Sequence, residues 1–324
     1  MKAIIINEDK TLSWGDQPEP QVINDDEVKI AVKATAVNRA DIMQIAGLYP
    51  PPPGASEIPG LECAGEIEAV GGQVSQWQVG DKVCALLAGG GYAEKVVCKA
   101  SHCLAIPEEF SFQQAAALPE VFATAYLNIF MEGEAQAGEA VMIHAGASGV
   151  GTAAIQLCNS FDNPCFVTVG SEDKLATCQS LGANGGFVRH QGDFLEAAKT
   201  FTEGKGFKVI LDPVGGQYLE ANVKALQTDG ALVIIGLMGG RSAPLDIGRL
   251  LVKRLRVIGS TLRSRSDASK SKLIGQLAEK VWPLFSDGSL KPIIHNQYGI
   301  TDASSAIEEV KSNQTVGKVI LTID

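Results

Sequence analysis

The stretch Ala140-Val141-Met142-Ile143-His144-Ala145-Gly146-Ala147-Ser148-Gly149-Val150-Gly151 decides how the chain is read. Residues 140–145 have the length and unbroken apolar character of a strand buried on both faces, as in a parallel sheet. Gly146, Ala147, Ser148, Gly149 and Gly151 then form a tight turn, and Thr152 to Cys158 continues as a helix. A strand, a glycine turn and a helix N-terminus together aim free backbone N–H groups and a positive dipole end at one point. That geometry suits a pyrophosphate. Ser148 stands where the second glycine of G-x-G-x-x-G is expected, so the motif is incomplete. The alternating strands and helices that follow favour a nucleotide site over a plain glycine turn.

Working outward, strands are expected at 140–145, 165–169, 185–188, 207–211, 230–236 and 255–260, with helices at 172–181, 193–201 and 217–226. Six such strands suit a doubly wound sheet. Upstream, residues 1 to about 120 are β-rich, with strand patterns at 3–6, 27–33, 65–70, 81–87 and 92–97 bounded by glycine and proline. A short helix is expected from Asn38 to Tyr49, ending at Pro50–Pro53. Residues 115–131 read as helical, interrupted by Pro119. An amphipathic helix through Trp282 and a last strand at 317–322 would return to the first domain.

At 324 residues, two domains are the default. Hydrophobic residues at 45% and charged residues at 20% are ordinary for a globular protein. A net charge of −10 argues against nucleic-acid affinity. No run is apolar and long enough to span a bilayer, and the N-terminus lacks a signal-peptide layout, so a cytoplasmic location with no membrane partner is expected. The seven cysteines (63, 84, 98, 103, 158, 165, 178) form no C-x-x-C pair, and the four histidines (102, 144, 190, 295) complete no ligand pattern with them. Reduced, mostly buried thiols and no metal site are expected.

Asn38-Arg39-Ala40-Asp41, Gly47-Leu48-Tyr49, Gly60-Leu61-Glu62 with Gly65, Val70-Gly71, Gly80-Asp81-Lys82-Val83 and the 146–151 turn together resemble one family from end to end. The chain resembles the medium-chain dehydrogenase/reductase superfamily, and within it the zinc-free quinone oxidoreductases of the zeta-crystallin type. Asn38 to Gly60 and Gly236-Leu237-Met238-Gly239-Gly240 are similar to the stress-inducible quinone oxidoreductase subgroup. The resemblance implies an α/β fold: a β-rich GroES-like catalytic domain (1–121), a Rossmann doubly wound parallel sheet that binds NADP (122–264) and a return segment (265–324). The zinc-dependent relatives carry Gly-His-Glu where this chain has Gly60, Leu61 and Glu62. Leu61 cannot bind a metal, which disfavours Lewis-acid alcohol chemistry.

The resemblance places Asn38, Asp41 and Tyr49 at the catalytic cleft. Asn38 and Asp41 equally suit a helix cap, and Tyr49 could pack on the prolines or orient a substrate oxygen. Thr124 is implied beside the nicotinamide, although a helical threonine often bonds back to its own preceding turn. The backbone of Gly236, Leu237 and the residues after them could hold the carboxamide, with Met238 a pocket wall or plain packing, and Arg263 lies in a cofactor-adjacent segment. The phosphate turn is Gly146, Ala147, Ser148, Gly149 and Val150. The second strand ends at Gly170, where an NAD site would place a carboxylate, and Ser171 and Lys174 follow. A hydroxyl and an ammonium suit a 2′-phosphate, and Arg189 after the third strand would add to them. NADPH is therefore the expected cofactor. A quinone or another electron-poor small molecule is the expected substrate. An enone or alkenal reductase and a non-enzymatic NADPH-binding redox sensor are the alternatives. Because 256–261 would be a bare apolar edge strand, a homodimer paired along it is expected.

Overall fold

The computed structural model describes residues 1–20 and 24–323. The chain divides into two compact units, Met1–Ala123 with Leu262–Asp324, and Thr124–Thr261. The expected boundaries lie two or three residues away from these, and Arg263 falls in the first unit. Among the described residues no helix is long and apolar enough to cross a membrane.

The first unit starts with a hairpin, β1 (Lys2–Ile6) and β2 (Leu12–Asp16). Strand β3 (Glu27–Ala36) buries Val28, Ile30, Val32 and Ala34 at every second position, the period of a half-buried strand. Helix α1 (Arg39–Ile45) follows, then β4 (Glu62–Val70), β5 (Lys82–Leu86), β6 (Lys95–Lys99) and β7 (Cys103–Ala105). Gly65 of β4 lies so close to β3 that an added Cβ would meet the Ala31 carbonyl oxygen at 2.0 Å. Helices α2 (Phe112–Ala116) and α3 (Pro119–Tyr126) come next, separated at the expected proline, and a π-helical turn spans Leu127–Glu132.

The second unit is a six-stranded parallel sheet. Its strands are β8 (Val141–His144), β9 (Cys165–Val169), β10 (Gly185–Val188), β11 (Phe207–Asp212), β12 (Leu226–Ile234) and β13 (Arg256–Gly259). Their order, β10-β9-β8-β11-β12-β13, reverses direction between β8 and β11, the switch point of a doubly wound sheet. Helices α4 (Gly149–Ser160), α5 (Glu172–Ser180), α6 (Leu195–Phe201), α7 (Leu219–Ala225) and α8 (Ile247–Lys253) connect them. All four residues of β8 are buried, which explains its unbroken apolar pattern.

The chain then returns to the first unit through α9 (Asp267–Lys280), α10 (Pro283–Ser286), β14 (Ile294–Gly299), α11 (Ala303–Lys311) and β15 (Lys318–Thr322). The resulting seven-stranded sheet runs β14-β15-β3-β4-β5-β7, with β6 also paired to β3. Strands from the N-terminal part of the chain (β3 to β7) and from its end (β14 and β15) thus share one sheet. Strand β14 was not expected, because Ile294-His295-Asn296-Gln297-Tyr298-Gly299 is a polar edge with little periodicity.

Gly65→Ala should lower the melting temperature by several degrees, since overpacking against a carbonyl costs about 1–3 kcal/mol. Differential scanning calorimetry checks this. An unchanged transition would mean that β3 and β4 do not approach as described.

Candidate functional site

In the second unit, the turn after β8 has the dimensions of a phosphate cradle. Ala145 takes φ +53°, which swings the chain off the strand. A Cβ on Gly146 would meet Val167 Cβ at 2.8 Å, and one on Gly151 would meet the Ala145 and Gly146 carbonyl oxygens at 2.5 Å. These are the tight-turn and close-packing roles of the first and third glycines of the fingerprint. Ser148 departs from the pattern for a local reason. It caps α4, its Oγ accepting from the Gly151 N–H at 3.0 Å. The N–H groups of Gly149 and Val150 find no acceptor among the described residues. Ala147 completes the turn beside them and is buried. This cradle fits a dinucleotide pyrophosphate.

The end of β9 is cationic. Gly170 leaves open space, with the nearest atom to a Cβ there being Arg189 Nη2 at 3.8 Å. Ser171 caps α5, accepting from the Lys174 N–H at 3.4 Å. Burial first, and then the nearby Arg189 guanidinium, hold the Lys174 ammonium below its usual pKa. Two cations share this corner, while Glu172 is turned to Gln191, from which it accepts at 2.6 Å. The Gly236–Gly240 segment lies against the loop after β11, with Met238 N–H donating to Pro213 O at 3.2 Å and Gly239 N–H to Val214 O at 2.7 Å. Leu237 and Met238 are exposed.

A buried polar chain stiffens the same strand ends. Asn222 Nδ2 donates to Asp212 at 3.0 Å, so its Oδ1 must accept from His144 Nε2 at 2.7 Å. His144 Nδ1 is then left to accept from Thr168 Oγ1 at 2.8 Å. The ring is neutral, and burial keeps its pKa low. Asp212 also accepts from the Val214 N–H at 2.7 Å, fixing the loop on which Met238 rests. Sequence reading missed this chain, since its four members are scattered over 168–222 and 144 without a motif. The Thr124 hydroxyl makes no hydrogen bond among the described residues, and its carbonyl accepts from Asn128 Nδ2 at 2.7 Å. It is therefore not bonding back to its own preceding turn.

In the first unit, a second polar cluster gathers around Glu62. Its Oε1 takes Lys318 Nζ at 2.7 Å and Asn38 Nδ2 at 2.9 Å, and its Oε2 takes the Glu120 N–H at 2.9 Å. Asn38 Oδ1 accepts from the same Lys318 ammonium at 2.7 Å. Asn38 stands at the N-cap of α1, but its amide is engaged in this network. The cap comes from Asp41, which accepts from the Asn38 N–H at 2.8 Å, the Gly60 N–H at 3.0 Å and the Tyr92 hydroxyl at 3.1 Å. Asp41 is fully buried, and burial pushes its carboxyl up to about 6. Its geometry is that of a cap and loop anchor.

Tyr49 is half-buried, with its ring 5.6 Å from the Arg263 guanidinium. Burial raises its phenol above the usual pKa, so it carries its proton at neutral pH. Arg263 is buried and donates to Ala88 O at 2.7 Å, Gln44 Oε1 at 2.7 Å and Tyr49 O at 3.4 Å. Its guanidinium holds α1 and the Tyr49 segment together. Glu120, in the first turn of α3, was not foreseen. Burial, then the Glu62 charge, push its carboxyl up to about 8, and it acts electrostatically on both Tyr49 and Arg263. Its only sequence signal was an acidic residue directly after Pro119. Leu61, at the position of the zinc-dependent relatives' histidine, is buried. Among the described residues no three His, Cys, Asp or Glu side chains are placed to hold a metal ion.

A Rattus norvegicus quinone oxidoreductase is 30% identical over 308 residues, covering 94% of this chain and 91% of that protein. The chain belongs to the medium-chain dehydrogenase/reductase superfamily. Its zinc-binding dehydrogenase profile matches residues 149–278, and its alcohol dehydrogenase GroES-like domain profile matches residues 24–108. Quinone oxidoreductase of Escherichia coli, solved with NADPH, is 27% identical over 99% of both chains with a TM-score of 0.86. CurK enoyl reductase is 30% identical over 100% of this chain and 99% of its own, also with a TM-score of 0.86. Other relatives are longer. The chain spans 64% of the Danio rerio synaptic vesicle membrane protein VAT-1 homolog and 14% of Aureobasidium melanogenum highly-reducing polyketide synthase 1. The superfamily relatives include oxidoreductases, and solved members of this fold bind NADPH.

The Glu120 carboxyl sets a pH dependence. Below about 4.5 it is neutral whether the chain is folded or not. Between there and about 8 the unfolded chain ionises while the fold keeps the proton, so stability falls as pH rises and then levels off. Glu120→Gln should therefore melt several degrees above the wild type at pH 8 and close to it at pH 5. The same difference at both pH values would contradict the protonated assignment.

Proposed function

We propose that the protein is a metal-free, NADPH-dependent reductase of quinones. The observation that carries the cofactor half is the end of β9, where Gly170, Ser171, Lys174 and Arg189 offer space, a hydroxyl and two cations instead of a ribose-binding carboxylate. When bound, NADPH supplies the hydride. The residues of this chain then have separable tasks. The 146–151 turn and Lys174 hold phosphates, and the chain from Asp212 to Thr168 fixes the loops around the strand ends. The Tyr49 phenol keeps its proton and can donate to a substrate oxygen as charge grows on it. Asn38, bound to Glu62 and Lys318, acts as a positioning residue on that side.

No part of this reading requires a metal to polarise the substrate. Leu61 contributes no ligand, and Glu62 is already neutralised by Lys318. The likeness to the rat and Escherichia coli quinone oxidoreductases supports a quinone substrate. The likeness to CurK enoyl reductase supports a second reading, reduction of an electron-poor alkene by the same arrangement. Oxidation of NADPH measured over a panel of quinones, enones and aldehydes separates them. The quinones should show the highest kcat/KM, whereas exclusive turnover of enones would select the second reading and turnover of aldehydes alone would refute both.

Lys174→Ala should weaken NADPH binding about tenfold or more, because a charge-assisted contact to a phosphate is worth about 1.5–3 kcal/mol. NADH binding should be unchanged. Fluorescence titration that shows both cofactors weakened equally would remove Lys174 from the 2′-phosphate site.

We also propose that the protein pairs with a second copy along β13. This strand ends the sheet, and Val257 on it, with Ile247, Leu251 and Val252 of α8, is exposed. A bare edge beside an apolar helix face invites self-pairing, and a two-fold arrangement closes the assembly. Light scattering should give a dimer mass for the wild type. Val257→Pro and Leu251→Glu should each shift it toward the monomer. A monomeric wild type at micromolar concentration refutes this pairing.

A further inference from the structure

Seven cysteines are present, and six of them are buried; Cys98 is the exception, half-buried on β6. Its Sγ lies 3.7 Å from that of Cys103, the first residue of β7. The segment between them, Ala100–His102, is a single 3-10 turn pinned from several sides. Ala100 N–H donates to Asp26 O at 3.0 Å, and Ala100 O accepts from Trp77 Nε1 at 2.9 Å. Ser101 Oγ meets Ser271 Oγ at 2.8 Å, and His102 Nε2 meets Asp267 O at 3.3 Å. The turn therefore holds the two sulfurs facing each other rather than leaving them to meet by fluctuation.

We propose that Cys98 and Cys103 form a redox-active dithiol that closes to a disulfide on exposure to a hydroperoxide. Access, proximity and division of labour all support it. Cys98 is half-buried and, with Lys99 and His102, borders a cavity of about 450 Å³ in the first unit, the route by which a small oxidant would approach its sulfur. Cys103 is 5% exposed, and its thiol is held protonated by the hydrogen bond to Cys98 and by burial. Cys98 is thus the sulfur oxidised first, and Cys103 is the resolving partner. The sulfurs must close from 3.7 Å to about 2 Å, a change within reach of side-chain rotation and a small shift of the turn.

The chemistry balances without any other group. The Cys98 sulfur attacks the peroxide, the O–O bond breaks, and Cys98 becomes a sulfenic acid with release of water from hydrogen peroxide, or of the corresponding alcohol from an organic hydroperoxide. The Cys103 sulfur then displaces the hydroxyl of that sulfenic acid, the S–S bond forms, and water leaves with the Cys103 proton. Two thiols are oxidised by two electrons and one hydroperoxide is reduced. An external thiol reverses the step by exchange.

The other close pair, Cys158 and Cys165, is an internal comparison. Those thiols also interact with each other, but both residues are buried in the second unit. Neighbouring sulfurs without access should stay reduced where the 98–103 pair oxidises.

The test is peptide mapping of the intact protein after brief treatment with hydrogen peroxide and quenching with an alkylating agent. The expected product is a Cys98–Cys103 disulfide, lighter by about 2 Da and restored by dithiothreitol. Cys103→Ser should convert that product into a trapped sulfenic or sulfinic acid on Cys98, and Cys98→Ser should leave Cys103 reduced. Far-UV circular dichroism confirms that each variant is folded, and Cys103→Ala serves if the serine is not tolerated. A wild type in which Cys98 stays reduced, or is oxidised without linkage to Cys103, would overturn the proposal. So would a disulfide at Cys158–Cys165 formed in its place.

Discussion

The ion pair between Glu62 and Lys318 is the constraint on which the first unit depends. Its atoms are 2.7 Å apart, with the carboxylate side chain 0% and the ammonium side chain 5% exposed. Two charges withdrawn from water repay their desolvation only if their remaining valences are filled. Here they are. Glu62 also takes the Asn38 amide and the Glu120 N–H, and Lys318 also donates to the Asn38 side chain and to Val37 O at 3.0 Å. The pair ties the last strand, β15, to β4 and to the starts of α1 and α3. Removing either partner would leave a buried charge alone, a loss of about 3–5 kcal/mol.

The same pair decides what chemistry the cluster can support. A carboxylate already neutralised by an ammonium, next to a buried leucine, has little to offer a divalent cation. What remains available is protonated oxygen: the Tyr49 phenol, raised by burial, and the Glu120 carboxyl, pushed up to about 8. In the second unit the logic is the reverse, with N–H groups in the turn after β8 unpaired among the described residues and two cations at the end of β9. On the function proposed above, the second unit supplies donors for phosphate and the first supplies proton-bearing groups.

How much of this was legible in the sequence follows from the range of each interaction. The nucleotide turn is local: strand, turn and helix lie within residues 140–160, so its pattern survives in the sequence. Even its irregularity, Ser148, has a local cause in the cap it makes to Gly151. The central parallel strands β8, β9 and β11 were visible because burial on both faces leaves apolar runs. The Glu62 cluster was not, because Asn38 and Lys318 are 280 residues apart and a lone lysine in a final strand carries no signal. Asn38, Tyr49 and Asp41 were singled out by resemblance, but their present partners, Lys318, Arg263 and Tyr92, come only from the fold. The polar edge strand β14 was missed because exposure erases periodicity, and α8 because its exposed Ile247, Leu251 and Val252 blur the apolar and polar faces of a helix.

The central claim is that this cluster works without a metal, and one measurement addresses it directly. Purified protein is dialysed exhaustively against a strong chelator, assayed with NADPH and a quinone, and analysed for zinc on the same sample. The account predicts full turnover with no stoichiometric metal. One zinc per chain, whose removal abolishes turnover and whose return restores it, would contradict it.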